Sequence, residues 1–106
     1  EVWLAELDPT RGHELAGRRP VLVLSVTLFN QGPAGLVIAA PITSRLRAIT
    51  SHVRLKPTEG GLRVESAVLC EAVRSLSVER LVHRLGSIPV PKLRRVEYAL
   101  RVLLGL

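Results

Sequence analysis

The stretch PTRGHELAGRRPVLVLS, residues 9–25, decides how this chain is read. Pro9, Gly12 and Gly17 punctuate it as loop. Val21, Leu22, Val23 and Leu24 follow as a short apolar run with β-branched members, the pattern of a buried strand. Ionisable side chains crowd the loop and the strand mouth: Arg11, Glu14, Arg18 and Arg19, with His13 beside them. Pro20 fixes its own φ and pushes Arg19 into an extended conformation. Arg19 is therefore expected on stiff backbone where a core strand begins, with Glu14 on the mobile side. A guanidinium held in that way can clamp a phosphate or stabilise charge that develops on it.

On either side of this stretch the pattern is mostly β. Residues 2–7 (VWLAEL) read as a first strand, 8–18 as loop and 19–25 as the second strand. Residues 26–35 hold Asn30, Gly32, Pro33 and Gly35 and form a connector with room for one helical turn. Residues 36–43 (LVIAAPIT) give a third strand, in which Pro41 marks an edge or a bulge. Residues 44–51 are a polar loop. Residues 52–56 pair with a strand near 62–70 across the turn signal Glu59-Gly60-Gly61. Residues 67–73 read as a core strand, Ser77 as the opening of a single helical turn, and 81–88 as a last strand. From 91 to 104 the period changes: Leu93, Val96, Leu100 and Leu103 recur at helical spacing, with Pro91 suited to the first turn and Gly105 to the C-cap. Val90 is a poor N-cap. The helix is expected to cover one end of the sheet.

A chain of 106 residues is one domain, spanning 1–106. The expected fold is mainly β with appended helices: a small, strongly bent antiparallel sheet or barrel with a C-terminal helix. The hydrophobic share of 47% and the mean hydropathy of +0.29 fit either a well-filled β core or apolar surface covered by a partner or a second copy. The net charge is +6, and Arg supplies 13 of the 15 cations. Arg presents a planar fork that suits phosphate, so a polyanionic or acidic partner is expected beside the plainer reading of a generally basic surface. The single cysteine, Cys70, lies in an apolar run and reads as a buried structural thiol. No apolar run reaches the roughly 18 residues of a membrane-spanning helix and no signal peptide is visible, so no membrane partner and a cytoplasmic location are expected. The sequence holds no Met, so its natural start is expected to lie upstream.

The chemistry is narrowed by what is scattered. Asp8 is the sole aspartate among nine acidic residues, and His13, His52 and His83 lie in separate segments. Two-metal nucleases need clustered carboxylates, and neither zinc spacing nor a glycine-rich nucleotide loop occurs. No metal and no cofactor are expected. Ser-His-Asp hydrolysis is not excluded by sequence order, though nothing supports it. Metal-free cleavage of RNA is a chemistry that Arg and Thr at two adjacent strand ends can serve: the ribose 2′-OH attacks the neighbouring phosphate and the 5′-oxygen leaves. The protein must orient the groups, stabilise phosphoryl charge and move two protons.

The segment DPTRGHE-AGRRPVLVLS resembles the signature of the MazF/PemK family of toxin endoribonucleases. Residues 39–45 (AAPITSR) resemble that family's apolar strand ending in Pro, an apolar residue, Thr and a small residue, and residues 68–76 (VLCEAVRSL) resemble a third patch more loosely. The resemblance implies an SH3-like barrel, a homodimer, single-stranded RNA as substrate and a MazE-type antitoxin with an acidic tail. Promoter DNA is implied only through the antitoxin complex. It assigns catalysis to Arg19 and Thr43, with Glu14 accepting a proton or positioning Arg19. The pKa of arginine suits charge stabilisation better than proton transfer at neutral pH. Arg11, Arg18, Arg45, Arg47 and Arg74 are candidates for tracking the RNA backbone, and Ser44 and Ser75 for polar contacts to bases. Trp3 is expected in the core. Where the family commonly carries Gln, this chain has Leu15 and Ala72. Two other readings stay open: a binding module of the same fold without nuclease activity, and a degenerate toxin that retains antitoxin and DNA binding.

Overall fold

The computed structural model describes residues 1–7 and 17–106. Within them a seven-stranded antiparallel sheet comprises β1 (Val2–Leu7), β2 (Gly17–Val23), β3 (Leu36–Thr43), β4 (His52–Leu55), β5 (Ser66–Leu69), β6 (Arg74–Ser77) and β7 (Leu81–Gly86). A one-turn helix, α1 (Thr27–Asn30), fills the connector before β3, and α2 (Val90–Leu104) ends the chain. The strand order is β4-β5-β3-β2-β1-β7, with β6 paired to β3 as well.

Period-two alternation gives the sheet two apolar faces. Val2, Leu22, Ala40 and Ile42 point to one face and join Val53, Leu55, Val68 and Cys70 in a core capped by Val96 of α2. Ala5, Leu7, Val21, Val37, Ala39 and Leu76 point to the other, with Trp3 and Leu81 packed against them. The register agrees: Leu22 pairs with Ala40 on the first face, and Val21 pairs with Pro41 on the second. Each fully buried Val, Leu or Ile side chain stabilises the fold by about 1.5–3 kcal/mol. Leu93, Val96 and Leu100 carry the helical stripe inward as its spacing predicts, whereas Leu103 and Leu104 are exposed. Gly105 caps the helix by donating its N–H to Arg101 O, and Pro89 stands at the N-cap with no side-chain hydrogen bond.

Three expected boundaries move. The second strand runs over 17–23 rather than 19–25, which brings Arg18 into it, and the last strand stops at Gly86. The single strand expected over 67–73 is broken. β5 pairs with Ile42 and Thr43, β6 pairs with residues 36–39, and residues 69–73 stand opposite only Ala40 and Pro41. Pro41 has no N–H to offer a ladder partner. The facing chain bulges there as a 3-10 turn, Cys70–Ala72. Pro41 thus marks a bulge but not an edge, because β3 is the most paired strand of the sheet.

The sheet is open, with β4 and β7 at the ends of the order. The turn Glu59–Gly61 after β4 nevertheless reaches β7: Gly60 N–H donates to Ser87 O at 3.0 Å. At Gly61 (φ +74) a Cβ would stand 2.0 Å from Leu85 O, so only glycine lets the turn lie this close. This contact bends the sheet back on itself without closing it.

Candidate active site

Arg19 lies in β2 opposite Ala5, on stiff backbone just before Pro20. The β2–β3 ladder ends at the pair Val21↔Pro41. Two residues beyond that last pair lie Arg19 on β2 and Thr43 on β3. Alternation turns both toward the face of Val21 and Ala39. Arg74 pairs with Ala39 and so shares that face. Three elements therefore bring Arg19, Thr43 and Arg74 to one face where β2, β3 and β6 meet.

Thr43 is 8% exposed, and its Oγ1 accepts a hydrogen bond from Arg45 N–H at 3.1 Å. This bond fixes the rotamer of Thr43 and starts the turn that exposes Ser44 and Arg45. A hydroxyl accepting from backbone retains its own proton to donate, for example to a phosphoryl oxygen.

Other expected residues stand elsewhere. Arg18 pairs with Glu6 across β1, its Nε 3.2 Å from Glu6 Oε1, on the face opposite Arg19. Ser75 pairs with exposed Ile38 and faces away from Arg74. The strand period separates Arg18 and Ser75 from the Arg19 group. Arg47 offers its backbone carbonyl to Arg54 Nη2 at 3.3 Å. Arg11, His13 and Glu14 lie outside the described residues. Cys70 is fully buried, and burial, then the neighbouring Glu71 charge, push its thiol up to about 11, as a structural thiol requires.

One cluster escaped the reading of the sequence. Ser51, His52 and Glu71 converge where β4 begins: Ser51 Oγ donates to Glu71 Oε1 at 2.7 Å, and His52 Nε2 stands 2.6 Å from Glu71 Oε2. The signal was present in the expected pairing across Glu59-Gly60-Gly61, which sets His52 opposite Leu69, two residues from Glu71. Beside it, between β4 and α2, lies a cavity of about 630 Å³ lined by His52, Arg54, Arg94, Arg95, Tyr98 and Leu103 among others.

An open, bent antiparallel sheet with a C-terminal helix is the fold of a class of small toxins. Residues 1–104 match the family described as PemK-like, MazF-like toxins of type II toxin–antitoxin systems, and the chain belongs to that family. It is 32% identical over 111 residues to Endoribonuclease MazF9 of Mycobacterium tuberculosis, an alignment covering 100% of this chain and 94% of that protein. A crystal structure of MazF from Deinococcus radiodurans superposes with a TM-score of 0.83 at 40% identity, covering 99% of this chain and 92% of the other. A MazE–MazF crystal structure from the same organism gives 0.78 at 40% identity, covering 99% and 91%.

Proposed function

We propose that this chain is a metal-independent endoribonuclease that cleaves single-stranded RNA at specific sequences. The observation that supports the reading is strand alternation, which turns Arg19, Thr43 and Arg74 to one face, Arg19 and Thr43 each lying two residues beyond the last β2–β3 pair. The substrate supplies its own nucleophile. A ribose 2′-OH attacks the adjacent phosphorus, a base takes its proton, and the P–O5′ bond breaks as the leaving oxygen gains a proton. The products are a 2′,3′-cyclic phosphate and a 5′-OH. Arg19 neutralises charge on the phosphoryl oxygens, Thr43 donates a hydrogen bond to one of them, and Glu14 accepts the proton or steadies Arg19. DNA lacks the 2′-OH and is not cut. Ser44, Arg45 and Arg74 hold flanking nucleotides, with Arg11 completing the basic track.

The same proposal includes a homodimer and a MazE-type antitoxin. Tyr98, Val102, Leu103, Leu104 and Leu106 are exposed at the end of α2, apolar surface of the kind a second copy covers. A net charge of +6 favours an acidic antitoxin tail that competes with RNA, and promoter DNA is engaged only through that complex.

The test is incubation of the purified protein with a long single-stranded RNA in excess EDTA, followed by mapping of the new ends. Discrete cuts leaving cyclic phosphate are expected. Arg19→Ala and Thr43→Ala should each slow cleavage by about 100- to 1,000-fold, the usual loss for one group stabilising a transition-state oxyanion. Folded protein that cuts no RNA would replace this reading with a toxin acting by binding alone. Full activity in Arg19→Ala would remove Arg19 from the mechanism.

A further inference from the structure

The cluster of Ser51, His52 and Glu71 joins two segments that flank the candidate site. Segment 44–51 starts directly after Thr43 with Ser44 and Arg45, and Arg45 N–H holds the Thr43 hydroxyl at 3.1 Å. The turn Cys70–Ala72 leads, after Val73, to Arg74. The turn 70–72 leaves the ladder opposite Pro41, and segment 44–51 leaves it after Thr43 and rejoins it at His52, opposite Leu69, beside that turn. Glu71 bridges them with its two carboxylate oxygens, one accepting from Ser51 Oγ at 2.7 Å and the other 2.6 Å from His52 Nε2.

Several details suit a fixed clamp better than a passing surface pair. The His52 side chain is 4% exposed, so its ring has one setting. Burial pushes the Glu71 carboxyl up, but hydrogen bonds from Ser51, from its own backbone N–H and from His52 outweigh burial and leave it below its ordinary value. An ionised carboxylate only accepts, so His52 Nε2 carries the shared proton. The other ring nitrogen, Nδ1, is buried without a partner among the described residues, so Glu71 is what orients the ring. Hydrogen bonds to a charged group are roughly twice as strong as neutral ones.

We propose that Ser51, Glu71 and His52 form a positioning clamp that holds the loop bearing Ser44 and Arg45 against the turn leading to Arg74, and so fixes the spacing of the RNA contacts on the two sides of Thr43. None of the three touches the reacting atoms. The clamp acts on substrate binding through the residues it holds, and it rests on the nuclease reading above.

Steady-state cleavage of a short single-stranded RNA carrying one mapped site tests it. Glu71→Ala should raise KM about tenfold, the scale of one charge-assisted hydrogen bond and so a part of what the two lost bonds contribute, with kcat within about twofold. Glu71→Gln keeps an oxygen for Ser51 and an N–H for the other tautomer of His52, so it should bring KM back to within about threefold of wild type. Ser51→Ala removes one arm without a core change and should raise KM in the same direction, which keeps the test open if Glu71→Ala does not fold. An unchanged KM in both Glu71→Ala and Ser51→Ala, a fall in kcat as large as the rise in KM, or no recovery in Glu71→Gln would overturn the clamp. If the wild-type protein cuts no RNA, the nuclease reading fails and the clamp is read by hydrogen exchange. Amides of 44–51 and 70–73 should then exchange faster in Glu71→Ala than in wild type, and equal rates would overturn it.

Discussion

Gly61 and Gly17 both sit at positive φ, yet a methyl group would act very differently at the two. At Gly61 it would strike the backbone of β7, 2.0 Å from Leu85 O, and the turn that bends the sheet would have to move. At Gly17 (φ +78) nothing among the described residues lies within 4 Å of the added carbon. Gly17→Ala should therefore cost only the left-handed conformation, about 1–2 kcal/mol. Gly61→Ala adds a backbone clash and should cost about 3 kcal/mol or more, in the range of the most damaging single changes. Chemical denaturation of both variants checks the order, and equal losses would mean that the turn can yield. Adjacent residues carry an equally sharp distinction at the site. Arg18 and Arg19 are neighbours in a run of basic residues, and only the strand period tells them apart: Arg19 goes to the face of Thr43, Arg18 to Glu6. The period was legible, but the point where the strand starts was not. A loop expected over 8–18 left Arg18 without a face, because Gly17 reads as a breaker although it opens the strand.

At the level of elements, what the sequence made plain was the set of strands whose pattern and punctuation agree. LVIAAPIT is bounded by Gly35 and the polar residues after Thr43, and β3 has the bounds that pattern implies. The segment VLCEAVRSL looked continuous because its apolar residues run on. Its break is imposed from outside, by Pro41 on the facing strand, and no local signal in residues 67–73 reports a partner that lacks an N–H. The helix α2 was legible from its stripe, and its hold on the sheet is testable. Val96 is fully buried, and Val96→Ala should cost about 2 kcal/mol. Exposed Arg101→Ala should stay within about 0.5 kcal/mol. The helix is also tied by Lys92, whose Nζ donates to Arg54 O at 2.7 Å and lies 3.0 Å from Glu59 Oε1. Glu59 also accepts from Lys56 N–H at 2.7 Å. That backbone bond first, then Lys92, hold its carboxyl below the ordinary 4.5. A carboxyl lowered by folding stabilises the protein above its unfolded value and loses that contribution as pH falls through its folded one. The urea midpoint should accordingly decline from about pH 5 downward, and less steeply in Glu59→Gln, which lacks the titrating group at every pH. An identical pH profile in the variant would mean that Glu59 contributes nothing through ionisation.

Over the whole molecule, the basic charge has a direction as well as a size. Acidic residues are paired where β1 and β2 run together, at Glu6 with Arg18, and along the turn to α2, at Glu59 with Lys92. Arg19, Arg45 and Arg74 come instead to the end of the sheet where the proposed RNA track passes. If affinity comes from those arginines, with Arg11, then binding releases counterions from about four phosphates, and the logarithm of the association constant should fall with the logarithm of salt at a slope near −3 for a single strand. Raising salt from about 50 to about 200 mM should then weaken RNA binding by roughly 50-fold. Arg45→Ala or Arg74→Ala should each make the slope shallower by about 0.7, because one phosphate contact is lost, while Arg18→Ala should leave it unchanged if its face lies away from the track. Fluorescence anisotropy with a 2′-deoxy oligonucleotide, which binds without being cut, separates this electrostatic term from catalysis. A slope that responds to Arg18 as strongly as to Arg74 would mean that RNA crosses both faces of the sheet. The division of the arginines by strand alternation would then govern chemistry at the phosphate but not affinity.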